Sequence, residues 1–169
     1  MYTNDSSNKN RIVFLTGTRA DYGKLKSLIK AVEEHSHFEP YIFATGMHML
    51  SKYGATYQEI QKDGFKHIYT YINQNQTNDM DITLSNTITG FSNYIAEIQP
   101  AAMVVHGDRL EAIAGAIVGA FNNIKVLHIE GGEVSGTIDE SIRHAISKFS
   151  HYHFVSNETA KKRIIQLGE

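Results

Sequence analysis

The chain has 169 residues, 41% of them hydrophobic, with 16 Lys and Arg against 18 Asp and Glu for a formal net charge of −2. Those values describe one globular domain with enough apolar material for a real core, and they exclude disorder, a surface-wide basic field for nucleic acid and a membrane span, since no apolar run is long enough. Cysteine is absent, which excludes disulfides and thiolate zinc sites.

Residues 1–10 are polar and lack the apolar stretch of a signal peptide, so a soluble, cytoplasmic protein is expected, with one domain over 11–169. The first strand is predicted at 12–16, and Gly17 to Lys24 forms the loop that opens a helix over 21–35. A strand at 41–45 runs into Gly46-Met47-His48, a helix is expected over 50–63, and the third strand over 67–71. Another helix covers 79–98 and is closed off by Pro100, before a strand at 102–106 that ends in Gly107-Asp108-Arg109. The next helix, 110–122, carries Gly115 and Gly119 among alanines, a pattern for close packing on a sheet. A strand at 126–129 follows. Thr137 and Glu140 have the spacing of a capping box, which starts a helix over 138–149. His151, just before the last strand at 152–156, and His153 within it are two apart on one face and read as a structural pair, with no metal implied. Lys161-Lys162-Arg163 reads as the solvated face of a final helix, 158–167.

Strict alternation of strands with helical crossovers predicts a doubly wound α/β fold around a mainly parallel sheet of about six strands. In such sheets ligands sit beyond the carboxyl ends of the strands, where strand order reverses. The unusual residues fall there. With order 3-2-1-4-5-6, strands one and four flank the reversal, and Arg19 and Lys24 are expected to face Asp108 across one crevice.

The densest chemistry lies in 128–144, where His128, Glu130, Glu133, Asp139, Glu140, Arg143 and His144 are packed into one short stretch with three glycines. Four carboxylates cannot all be buried and ionised without partners, so the segment reads as an active-site loop. The Gly17–Lys24 loop is not a Walker loop, because five residues separate Gly17 from Gly23 and Leu25 follows Lys24. It also lacks the three close glycines of a dinucleotide fingerprint, which leaves a loop with cationic side chains and backbone N–H groups suited to an anion.

Four motifs carry a resemblance. They are Gly-Thr-Arg-Ala-Asp-Tyr-Gly-Lys at 17–24, Thr-Gly-Met-His-Met at 45–49, Val-His-Gly-Asp-Arg-Leu-Glu-Ala at 105–112 and His-Ile-Glu-Gly-Gly-Glu-Val-Ser-Gly-Thr-Ile-Asp-Glu-Ser-Ile-Arg-His at 128–144. Together they resemble the UDP-N-acetylglucosamine 2-epimerase family, on its hydrolysing branch, which makes N-acetylmannosamine for sialic acid biosynthesis. The non-hydrolysing branch typically has Pro-Glu after Gly-Thr-Arg. The resemblance runs from about residue 11 to the end and implies the amino-terminal, Rossmann-like half of a two-domain GT-B-type enzyme, the second domain lying outside this chain.

It further implies Asp108, Glu130 and Asp139 as catalytic carboxylates. Arg19, Asp21, Lys24, Arg109, Glu133, Ser135, Arg143 and His144 are implied as substrate contacts or their supports, and His48, His106 and His128 as orienting groups. No metal or other cofactor is implied; the partners would be a UDP-sugar and further copies of the same protein, without nucleic acid or membrane. Three rivals stand beside this reading: a glycosyltransferase domain of the same architecture, a non-catalytic nucleotide-sugar binding module, and an epimerase of a modified UDP-sugar.

Overall fold

The computed structural model describes residues 9–75 and 77–169. Apolar residues run without alternation through β1 (Asn10–Thr16) and β4 (Ala102–His106), the mark of strands covered on both faces, and Val13, Phe14, Met103 and Val105 have no exposure. Around them the sheet takes the order β3-β2-β1-β4-β5-β6, with every pair parallel. The expected doubly wound topology is therefore present, with its reversal between β1 and β4.

Helices α1 (Arg19–Glu34) and α2 (Tyr57–Lys62) cover one face, where Leu25, Ile29 and Ile60 pack on Phe14, Ile42 and Val104. On the other face α3 (Met80–Ile98), α4 (Leu110–Phe121) and α5 (Ile138–Phe149) bring Phe91, Tyr94, Ala116 and Ile146 onto Leu15, Phe43 and Val105. Close approach of α4 explains its glycines. A Cβ on Gly115 would lie 2.6 Å from Leu15 Cδ2, and one on Gly119 2.5 Å from Val126 Cγ2. The short edge strands β3 (Ile68–Thr70) and β6 (Tyr152–Phe154) and the final helix α6 (Glu158–Gln166) complete the fold. No helix among the described residues is long and apolar enough to cross a membrane.

Three boundaries and one helix cap differ from expectation for identifiable reasons. Strand β2 (Phe38–Ala44) begins before 41 and includes Pro40, which is tolerated because β3 pairs only with 42–44 and leaves that side of Pro40 unpaired. The helix expected over 50–63 is instead a 3-10 turn, Ser51–Tyr53, and the short α2, with a further 3-10 turn, Gly46–Met49, ahead of them. Left-handed Gly54 (φ 83°) and Ala55 (φ 47°) break it. Helix α1 starts at Arg19 because Thr18, not Thr137, caps with a reciprocal box, exchanging hydrogen bonds with Asp21. At α5, Thr137 accepts from the Asp139 amide, while Glu140 takes the amides of Ser135 and Gly136.

Candidate active site

Beyond the carboxyl ends of the strands, the loops after β1, β2, β4 and β5 converge. Strand β5 (Lys125–Ile129) hands over to Glu130, which holds a left-handed backbone (φ 62°) that β-strand exit alone does not require. A non-glycine residue there is strained, and such strain persists only where neighbours fix it. The fixing neighbours are visible. Lys24 Nζ donates to both Glu130 oxygens at 2.9 and 2.8 Å, and His106 Nε2 lies 3.3 Å from Oε2 without hydrogen-bond alignment. Partial burial pushes the Glu130 pKa up, but the Lys24 hydrogen bond and the charges of His106 and Lys24 outweigh it and hold the carboxyl below its ordinary 4.5.

Asp108 and Asp139 meet at a second, adjoining place. Both line a cleft of about 290 Å³, together with Arg109, Glu111 and the side chains of Asn78 and Thr83 across from them. Arg143 Nη2 donates to Asp108 Oδ2, so α5 reaches back to the β4 loop. His128, fully buried, holds the same turn from below. Its Nε2 lies 2.7 Å from the Gly107 carbonyl, which can only accept, so the proton is on Nε2 and Nδ1 faces the Ser147 hydroxyl at 3.1 Å. Burial drives its pKa from 6.5 down to about 4, so this imidazole is neutral at neutral pH.

The loop after β1 is locked from inside. Asp21 accepts from the Gly17 and Thr18 amides at 3.0 Å each and from Thr16 Oγ1 at 2.5 Å. With the Thr16 proton on Asp21, His48 Nε2, 3.0 Å from Thr16 Oγ1, must donate, and its Nδ1 receives the Thr56 hydroxyl at 2.7 Å. Burial lowers the His48 pKa, consistent with that neutral form. This chain of four side chains ties the β1 loop to the turns after β2.

Several expected positions take different places. Lys24 meets Glu130, not Asp108, because α1 lies on the β4 face that carries His106. Arg19 does not face Asp108 either; its Nε pairs with Glu59 at 3.0 Å on an exposed surface. Asp21 is an internal cap whose oxygens are filled, and it also occupies the Gly17 and Thr18 amides that were expected to face an anion. Glu133 accepts from the Ser156 hydroxyl and the Asn157 amide, joining the β5 and β6 loops. Ser135 donates its amide to Glu140 at 3.1 Å, and His144 Nε2 sits 3.8 Å from Glu140. Arg163, expected on a solvated face, donates to the Gly132 carbonyl, whereas His151 Nδ1 accepts from the Val126 amide as its structural reading implied.

Two residues escaped sequence reasoning. Glu111 is 3% exposed with its carboxylate on Arg109 Nε at 3.1 Å, and Asn73 is 1% exposed, accepting from the Gly46 amide and donating to Thr87. Among the described residues, His106 Nε2, Arg143 Nε, His144 Nδ1 and His153 Nδ1 are buried without a hydrogen-bond partner.

Residues 30–169 match the model of the UDP-N-acetylglucosamine 2-epimerase family. The chain belongs to that family. A UDP-N-acetylglucosamine 2-epimerase of Neisseria meningitidis serogroup B is 52% identical over 94% of this chain. A hydrolysing UDP-N,N'-diacetylbacillosamine 2-epimerase of Legionella pneumophila is 40% identical, also over 94%. The chain spans only 42% and 43% of the lengths of these two epimerases. The crystal structure of a UDP-GlcNAc 2-epimerase from Neisseria meningitidis, bound to UDP-GlcNAc, superposes with a TM-score of 0.84 over 94% of this chain and 43% of its own, at 20% identity. At that identity the match shows an epimerase-like fold for one half of such an enzyme.

Proposed function

We propose that this chain is the amino-terminal half of a hydrolysing UDP-N-acetylglucosamine 2-epimerase that releases N-acetylmannosamine and UDP. The observation that carries the reading is the grouping of Asp108 and Asp139 on one cleft, with Glu130 beside it in a strained, Lys24-bound position. Elimination followed by hydration needs several proton transfers. The anomeric C1–O bond to UDP breaks as the C2 proton passes to a base, giving the C1=C2 bond of a 2-acetamidoglucal. Water then adds its hydroxyl to C1 while an acid returns a proton to C2 from the opposite face. Loss of the C2 proton is eased by positive character at C1 as UDP departs, so carboxylates and cations around one crevice suit the chemistry. Glu130, held ionised, fits the base. Asp108 and Asp139 then share the acid and the activation of water. A transferase, by contrast, usually needs a single base.

A second half, closing the crevice and holding uridine and diphosphate, belongs to the same proposal, as do a cytoplasmic setting for sialic acid or related nonulosonic acid synthesis and a homo-oligomeric enzyme. One alternative has a specific observation in its favour: the Legionella pneumophila relative is named for a diacetylated bacillosamine sugar. Supplying the full-length protein with UDP-N-acetylglucosamine and UDP-N,N'-diacetylbacillosamine separately, and identifying the free sugars, decides between them. Release of N-acetylmannosamine supports the first reading. Turnover of the diacetamido sugar alone supports the second, and a product still bearing UDP contradicts both.

A further inference from the structure

Glu111 stands at the second position of α4, where an acidic residue is ordinarily a solvated partner of the helix dipole. Here it is 3% exposed. Its carboxylate lies against two glycines from two other loops. A Cβ on Gly17 would sit 2.7 Å from Glu111 Cδ and 2.8 Å from Oε2, and a Cβ on Gly46 would sit 2.3 Å from Oε1. Gly46 also needs glycine for its left-handed backbone (φ 62°), whereas Gly17 has no positive φ. At Gly17, then, the missing side chain makes room for a carboxylate.

The third contact of Glu111 is Arg109 Nε, at 3.1 Å. Arg109 lines the same cleft as Asp108 and Asp139, and its Nη groups make no hydrogen bond within the described residues. A guanidinium clamped at Nε by a buried carboxylate keeps its outer N–H pair free and aimed, the arrangement suited to a bidentate anion. We infer that Glu111 is a positioning residue of the site, one that holds Arg109 toward the diphosphate of the UDP-sugar and ties the loops after β1, β2 and β4 to a single point. The inference rests on the functional reading above for its ligand. A charged group buried in this way is costly unless paired, so the pair with Arg109 is also what makes Glu111 tolerable at this depth.

Two cycles in the full-length protein test it. In the first, Glu111→Gln, which keeps the shape and removes the charge, is combined with Arg109→Ala, and both kcat/KM and UDP affinity by calorimetry are measured. Glu111→Gln is expected to weaken both by about tenfold when Arg109 is present and by less than about twofold when it is absent, because neighbours acting as a unit do not add. An equal loss in both backgrounds would mean that Glu111 acts on folding alone and would overturn the inference. In the second, Gly17→Ala is expected to lower the melting temperature with Glu111 present and to be harmless beside Glu111→Ala; an equal drop in both backgrounds would show that the carboxylate does not occupy that space. Wild-type protein that binds UDP yet releases no sugar would reject the functional reading separately, leaving the affinity cycle to decide the role of Glu111.

Discussion

Lys24 Nζ on α1 donates to both carboxylate oxygens of Glu130 at the end of β5, 2.9 and 2.8 Å away, reaching past the end of β4 that lies between their strands. The pair fixes a strained residue and holds its carboxyl acidic. Removing Lys24 leaves the burial that pushes the Glu130 pKa up and takes away the main influence that lowers it. Lys24→Met should therefore move the acid limb of the pH profile of kcat/KM to higher pH, as expected when a base needs a higher pH to ionise. Profiles of wild type and variant in the full-length protein check this, and an unmoved limb would remove Glu130 as the titrating base.

Asp108→Asn, Glu130→Gln and Asp139→Asn should each lower kcat by roughly a hundredfold or more while the protein stays folded. Steady-state kinetics together with circular dichroism provide the check. A variant within a few-fold of wild type takes its residue out of the proton transfers.

His128 makes stability depend on pH. Its folded pKa, about 4, is below the ordinary 6.5, so between those values the unfolded chain binds a proton that the folded one does not. The contribution is complete above pH 6.5, declines as pH falls toward 4 and is gone below it; the gap corresponds to about 3 kcal/mol. His48, also lowered by burial, acts in the same direction. Urea unfolding across this window should show that decline, and His128→Gln should flatten it. An identical slope in the variant would assign the pH dependence elsewhere.

Helix α4 should not accept a side chain at Gly119. An added Cβ would meet Val126 Cγ2 at 2.5 Å and Met103 Sδ at 2.6 Å, both inside the core. Gly119→Ala is expected to cost about 1–3 kcal/mol, overpacking outweighing the helix propensity gained. Chemical denaturation measures it. A stabilised variant would show that the helix can lift from the sheet freely.

Much of this architecture could be read from the chain because the information is local. The unbroken apolar runs at Val13–Leu15 and Ala102–Val105, each followed at once by a glycine loop, mark buried parallel strands and the end where chemistry collects. What escaped was long-range or ambiguous. Nothing near Arg19 announces its pairing with Glu59, and the left-handed Ala55 that shortens α2 has no signature in its residue type. Asp21 was visible as an acid three residues after Thr18, yet a capping carboxylate and a ligand carboxylate look alike until the amides of Gly17 and Thr18 are found on it. Glu111 was hidden because a glutamate in the first turn of a helix is ordinary, and only the two glycines pressed against its carboxylate reveal a buried role.

Elimination of UDP with proton exchange at carbon 2 leaves an isotopic mark, which is read by running the full-length protein on UDP-N-acetylglucosamine in heavy water and examining the product by NMR. The expected product is free N-acetylmannosamine carrying deuterium at carbon 2, alongside released UDP. A product that keeps its original hydrogen at carbon 2, or one that still bears UDP, would contradict it.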